Sequence, residues 1–302
     1  MIEFREFGKD FGAHRAVASV TLEVGRGEAV ALLGPNGSGK TTSLKAAAGL
    51  VRPSRGSVLL GKPGRDAGDP EARRILSFLP QRVSFPEALT GRETLEFYRR
   101  LRGAPAARVD EVLRFASLNG SGSRAVGTYS GGMVQRLGLA VAMLPDAPVL
   151  LLDEPTAALD PDGLCAFYGV VSRHRSEGKT ILFTSHQLGD AERLADRIAV
   201  LVEGRLVASL TARELADRLS DRGLMRVRLG AFREDILGRV RTIAPRAAWS
   251  GDDLIVPGSA SARPAVLDLL RIAGAEIRAL VTEEGRLETL YRDLVEDGGS
   301  GS

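Results

Sequence analysis

Residues Ala29 to Thr42, Ala-Val-Ala-Leu-Leu-Gly-Pro-Asn-Gly-Ser-Gly-Lys-Thr-Thr, constrain this chain more than any other stretch. Ala29 to Leu33 is an unbroken apolar run, and a run of that length bounded by turn residues reads as a strand buried on both faces. A loop follows through Gly34, Pro35, Asn36, Gly37, Ser38 and Gly39, and a helix opens at Lys40, Thr41 and Thr42. The spacing G-x-x-x-x-G-K-T is that of a phosphate-binding loop. Its glycines let successive backbone N–H groups converge on one point, and the helix behind adds its positive dipole end there. Lys40 would then reach the β- and γ-phosphates, and the Thr41 hydroxyl would hold Mg²⁺.

The 302 residues are enough for two domains, and 44% hydrophobic with 26% charged residues is ordinary globular composition. A formal net charge of +3 is too slight for a nucleic-acid partner, which calls for a concentrated basic face. The single cysteine, Cys165, cannot form an internal disulfide, which suits a reducing compartment. It sits in a predicted helix beside Leu164 and Phe167 and is expected as a small core side chain. The N-terminal residues Met1 to Phe7 lack the apolar region of a secretory signal, and no stretch approaches the roughly 20 apolar residues needed to cross a bilayer. The expectation is a soluble protein.

Along the chain, residues 2–8 and 17–24 alternate apolar and polar side chains, as antiparallel strands with one wet face do. Short strands are predicted at Ser57 to Leu60 and Ile75 to Leu79. A helical block then interrupts the α/β pattern, opening at Thr90 with Glu93 three residues on, the spacing of a capping box. Strands resume at Val149 to Leu152, Ile181 to Thr184, Ile198 to Val202 and Leu206 to Leu210. Beyond Thr211 the order helix, strand, helix, two short strands, helix, strand, helix resembles a small two-layer α+β unit. Gly298 to Ser302 has linker composition.

A second signal sharpens the first. Val149-Leu-Leu-Leu-Asp153-Glu154 is an apolar strand that ends in two carboxylates, and open α/β sheets place their ligands at strand C-termini. Asp153 there can hold Mg²⁺, which prefers oxygen ligands, and Glu154 stands where it could polarise an attacking water. The plain alternative is a pair of solvated acids before a helix. A third signal is Tyr129-Ser130-Gly131-Gly132-Met133, a second anion-binding helix start. One nucleotide cannot use two such sites in one subunit, so this loop is expected to meet the γ-phosphate bound by a second copy.

Together these residues resemble the ATP-binding-cassette (ABC) ATPases over about residues 2–210. Gly34 to Thr42 is similar to the Walker A motif, Val149 to Glu154 to Walker B with its catalytic glutamate, and Tyr129 to Met133 to the signature loop. Gln81 fits the Q-loop glutamine, Ala158-Leu159-Asp160 the D-loop, His186 the switch histidine, and Phe11 the aromatic that stacks on adenine. Tyr129 and Met133 depart from the usual Leu and Gln, while Ser130, Gly131 and Gly132 remain. The resemblance implies an α/β P-loop NTPase core over 1–210 with an antiparallel β subdomain and a helical subdomain at about 84–144. A C-terminal α+β domain over 211–297 and a tail over 298–302 complete it. It implies ATP and Mg²⁺ as cofactors, with Thr41, Gln81 and Asp153 at the metal and Lys40, Glu154 and His186 in catalysis. A homodimer, an integral membrane permease as partner, no nucleic acid, and a peripheral place on the cytoplasmic face of the inner membrane are implied too.

Rival readings are a soluble ABC ATPase acting on DNA or ribosomes, a non-hydrolysing nucleotide-binding module, and an importer subunit. Repair relatives carry a coiled-coil insertion and translation relatives two cassettes, and this sequence has neither. Glu154 and His186 speak against a non-hydrolysing module. The stretch from Leu79 to Leu137 is similar to exporter-type cassettes, in particular to the ATPase subunit of the copper-site maturation system for nitrous-oxide reductase. For the C-terminal unit, regulation, dimerisation and simple packing all stay open.

Overall fold

The structure, a computed structural model, describes residues 1–157, 159–230, 234–283, 285 and 287–299. Two compact units divide the chain, Met1–Ala212 and Arg213–Ser302.

The first unit opens with β1 (Ile2–Phe11), β2 (His14–Val24) and β3 (Ala29–Leu33), followed by α1 (Lys40–Ala47). Next come β4 (Arg55–Leu60), β5 (Arg65–Asp66), α2 (Pro70–Arg73) and β6 (Leu76–Leu79). Three helices then run in succession: α3 (Gly91–Arg102), α4 (Ala107–Phe115) and α5 (Gly131–Met143). The alternation returns with β7 (Val149–Leu152), α6 (Pro161–Ser176), β8 (Thr180–Ser185), α7 (Leu188–Leu194), β9 (Arg197–Val202) and β10 (Arg205–Leu210). All ten strands form one sheet, in the order β5-β4-β1-β2-β10-β9-β3-β8-β7-β6.

That sheet has two characters. From β9 to β6 the neighbours β9-β3-β8-β7-β6 are parallel, and every residue of β3, β7 and β8 is buried. From β5 to β2 the pairs are antiparallel, and β1 and β2 alternate buried with exposed positions. Their burial periods follow from what covers them: the parallel part is covered on both faces, the antiparallel arm meets solvent on one. The core that joins them includes Phe4, Phe7, Leu22, Leu32, Leu44, Leu151 and Leu182.

The helical block forms as its caps dictate. The Thr90 hydroxyl accepts from Glu93 N while the Glu93 carboxylate accepts from Thr90 N, a reciprocal pair that satisfies two orphan donors of α3. In α6 the inward positions are Phe167, Val170, Val171 and His174. Cys165 falls on the opposite face and is exposed, which corrects the expectation of a core cysteine. Its neighbour Phe167 takes the inward position instead, because residues two apart on a helix point in different directions.

The second unit contains α8 (Ala212–Ser220, from its second residue on), β11 (Leu224–Leu229), α9 (Glu234–Val240), β12 (Ala248–Ser250), β13 (Asp253–Pro257), α10 (Arg263–Ile272), β14 (Ile277–Glu283) and α11 (Leu287–Gly299). Its antiparallel sheet runs β12-β13-β11-β14, and Met225, Val227, Leu254, Ile236, Val266 and Leu270 pack into a core of its own. The first helix after β11 begins at Glu234 in the described chain, and the last three residues of the tail lie outside the described residues.

Candidate active site

Four adjacent parallel strands deliver the site. The loop after β3 is the glycine-rich one, His186 follows β8, Asp153 and Glu154 follow β7, and Gln81 lies two residues past β6. Register brings their ends level, with Leu33 beside Ser185, Leu152 beside Phe183 and Leu79 beside Leu152. Residues more than a hundred apart in sequence therefore meet at one edge of the sheet.

In the glycine-rich loop, Pro35, Asn36 and Gly37 are exposed, Gly34 and Ser38 are buried, and Gly39 is half-buried. Gly39 is the N-cap of α1 with φ of 95°, and a Cβ there would come within 2.8 Å of the Ala16 carbonyl oxygen. At Gly34 a Cβ would meet the Leu201 carbonyl oxygen at 2.1 Å, so backbone packing alone requires glycine. No side chain among the described residues caps α1, which leaves the N–H groups of its first turn, at Lys40, Thr41 and Thr42, facing the loop. Lys40 is only 5% exposed. Its ammonium donates to the carbonyls of Gly34 at 2.7 Å and Pro35 at 2.9 Å. Burial lowers the Lys40 pKa, and the carboxylates of Glu154 and Asp153 oppose that shift.

Asp153 is wholly buried, so it is not a solvated acid. Its Oδ1 accepts from the Thr41 hydroxyl at 3.0 Å and the Thr184 hydroxyl at 2.7 Å. Its Oδ2 is buried with no hydrogen-bond partner among the described residues. Burial raises the Asp153 pKa, the two threonine hydroxyls pull it down, and the neighbouring Glu154 charge raises it further. A buried carboxylate oxygen without a donor is costly, and a hard divalent cation beside a threonine hydroxyl is the kind of group that satisfies it. The donor set thus fits Mg²⁺.

Glu154 adopts a left-handed backbone with φ of 46°, uncommon for a residue with a side chain. Its N–H donates to the Thr184 hydroxyl at 2.8 Å, which holds the turn. The turn aims its carboxylate at the switch loop, where Oε2 lies 3.1 Å from His186 Nδ1. His186 is exposed and Glu154 mostly buried, so the pair spans the border between strand ends and solvent. In the sequence Thr184 is only the last residue of a predicted strand. Yet it touches both acids, and its one legible signal was a hydroxyl closing an otherwise apolar strand.

The remaining residues make no hydrogen bond to this cluster among the described residues. Phe11 ends β1 with 51% exposure, and the Lys9 ammonium sits 4.9 Å from its ring centroid. Gln81 is exposed. Ser130 is exposed and caps α5, accepting from Met133 N at 3.3 Å, with Gly131 exposed and Gly132 half-buried in the first turn. Asp160 caps α6 by accepting from Gly163 N at 2.8 Å and faces Arg136 at 3.9 Å. Of the expected D-loop, Ala158 lies outside the described residues.

The profile of the family described as ABC transporter matches residues 17–157. The ABC transporter ATP-binding protein YxlF of Bacillus subtilis (strain 168) is 38% identical over 211 residues, covering 68% of this chain and 69% of its own. Nod factor export ATP-binding protein I of Burkholderia lata is 41% identical over 212 residues, covering 68% and 69%. Linearmycin resistance ATP-binding protein LnrL of Bacillus subtilis (strain 168) is 27% identical but aligns over 304 residues, 97% of this chain and 98% of its own. Among solved structures, an ATP-binding subunit of an ABC transporter superposes with a TM-score of 0.66 at 30% identity, covering 72% of this chain and 92% of that one. A dimeric post-hydrolysis state of an ATP-binding cassette, bound to ADP and Pi, gives 0.65 at 27% identity, covering 70% and 99%.

Proposed function

From the premise that this chain belongs to the ABC transporter ATP-binding family, we propose that it is the ATP-hydrolysing subunit of an exporter, working as a pair of copies around two ATP. Each copy offers its glycine-rich loop, Lys40, Thr41, Asp153, Glu154 and His186 to one nucleotide. It offers Ser130, Gly131 and Gly132 to the nucleotide held by the other. The single observation that carries this reading is the contact between Glu154 and His186, 3.1 Å, beside an Asp153 bonded to Thr41.

The chemistry of the residues follows from their placement. Lys40 is already desolvated and held by two loop carbonyls, so phosphate oxygens would exchange neutral acceptors for charged ones. Glu154 orients a water, and His186, bonded to it, donates toward the γ-phosphate as charge develops. Positioning and fixed charge carry most phosphoryl-transfer catalysis. Thr41, Asp153 and Gln81 would hold Mg²⁺, which supplies neutralisation of β- and γ-phosphate charge. Phe11, exposed at a strand end, offers its ring to adenine. Asp160 stands at the start of α6, in the segment that faces the second copy.

The partner in this reading is a set of membrane-spanning permease chains; no helix among the described residues is long and apolar enough to cross a membrane. We place the docking of those chains near Gln81 and α3, where Phe97 is 57% exposed. Phe85, by contrast, packs edge-on against Tyr98, and Val83 lies against Gly138, so the protein itself half-buries both. A peripheral position on the cytoplasmic face of the inner membrane follows from this partner. Export is supported by relatives named for Nod factor export and linearmycin resistance. The narrower role, maturing a copper enzyme, draws support only from the sequence between Leu79 and Leu137.

Glu154→Gln tests the reading. ATP binding should persist, turnover should fall by at least about a hundredfold, and a nucleotide-dependent dimer should accumulate. Unchanged turnover would remove Glu154 from its role.

A further inference from the structure

Glu154 and His186 sit on loops that leave different strands, and a nucleotide that comes and goes cannot hold those loops in register. A buried carboxylate behind them bridges both. Asp190, in the first turn of α7, is 3% exposed. Its Oδ2 accepts from the hydroxyl of Thr156, two residues beyond Glu154, and lies 3.4 Å from the hydroxyl of Ser185, the residue before His186, whose one proton it shares with the Gln187 carbonyl at 3.1 Å. Its Oδ1 accepts from the Tyr168 phenol on α6 at 2.6 Å. The Ser185 hydroxyl in turn accepts from Gln187 N at 2.9 Å, which closes the turn around His186. Resting on the function proposed above, we infer that Asp190 is a positioning residue: through Thr156 and Ser185 it fixes the separation of Glu154 and His186.

The choice of residue types suits that task. Three hydroxyl donors converge on one side chain, and only an ionised carboxylate accepts from all of them without presenting a donor of its own. Hydrogen bonds to a charged acceptor are also stronger than neutral ones. The Tyr168 phenol is pushed up to about 12 by burial and by its bond to Asp190, so it stays a donor across the physiological range. The Arg193 guanidinium, 4.5 Å from the centre of the Tyr168 ring, keeps that side chain in place from the far end of α7. Thr156 is itself buried, so its hydroxyl has little access to water as an alternative partner.

The test is a set of variants read as turnover per nucleotide-binding site, so that loss of folded protein does not count as loss of rate. Thr156→Val removes the hydroxyl at constant shape and should lower kcat about 10- to 100-fold with KM for ATP within about twofold, since misplacement of a reacting group by an ångström costs that much. Thr156→Ser restores the hydroxyl and should restore kcat. Asp190→Ala should lose at least as much as Thr156→Val, and the double variant should be no slower than Asp190→Ala, because Asp190→Ala already breaks the bond that Thr156→Val removes. Tyr168→Phe strips a bond from the same carboxylate without reaching either loop and should cost less than Thr156→Val. Full kcat in Thr156→Val, failure of Thr156→Ser to rescue, additive losses, or equal losses in Tyr168→Phe and Thr156→Val would each overturn the inference. Glu154→Gln run alongside separates the two failures: if it still turns over, the function proposed above is wrong, and if it is dead while Thr156→Val is active, only the role of Asp190 falls.

Discussion

At the scale of single residues, the site is built at a cost in stability. Asp153 is a buried carboxylate with one oxygen unpartnered among the described residues, and burial raises its pKa. A raised folded pKa means that ionisation at neutral pH opposes folding, so the charge is kept for function rather than stability. Asp153→Asn should therefore raise the melting temperature of the nucleotide-free protein, by about 0.5–2 kcal/mol of stability, while turnover is lost. Calorimetry without nucleotide checks the first half, and an unchanged or lower melting temperature would contradict it. Lys40→Ala should remove nucleotide affinity, measured by titration with a fluorescent ATP analogue; full retention would discredit the loop. These residues were legible because a strand, a glycine spacing and a terminal carboxylate pair are local patterns. Thr184 and Asp190 were not, since each acts across strands and neither belongs to a local pattern.

At the scale of elements, α6 shows what a helix can hide. Its inward stripe ends in His174, which is buried, with Nδ1 2.9 Å from the Lys179 ammonium and 3.2 Å from Glu177. Burial first, and the Lys179 charge second, lower the His174 pKa below its ordinary value of 6.5. The unfolded chain therefore takes up a proton near that value while the folded chain does not. Stability is complete above it and erodes as pH falls toward the folded pKa. Asp146 and Glu177, whose pKa values the Lys179 ammonium lowers, add losses only at more acid pH, as pH falls through their own folded values. Melting temperatures recorded from pH 7.5 to 5.5 should decline in the natural chain and decline less in His174→Gln; equal declines would refute this. Element boundaries were read well where caps announce them, as at Thr90 and Ser130. The seven residues of α7 and the two of β5 were not foreseen, because such short segments carry no period to detect. Cys165 was misplaced for a related reason: its neighbours are core residues, but its own direction on α6 is outward.

At the scale of the whole molecule, strand order was the part the sequence withheld. The alternation of strands and helices announces a parallel sheet, yet nothing local says that β10 joins β2 through the single pair Arg205 and Ser19. That pairing links the antiparallel arm to the parallel core. All the residues proposed to meet nucleotide lie in Met1–Ala212, so that unit expressed alone should bind ATP as the full chain does. Loss of binding on removing 213–302 would show that the second unit takes part in the site. The central claim, that each copy lends a cradle to one nucleotide and a lid to the other, is tested most directly by mixing two dead proteins. Lys40→Ala destroys the cradle and Ser130→Phe the lid, and each homodimer should be inactive. In a mixed dimer of this symmetry one of the two sites combines an intact Lys40 with an intact Ser130, so the mixture should recover roughly a quarter of the natural ATP turnover. A mixture as inactive as its components would contradict the account.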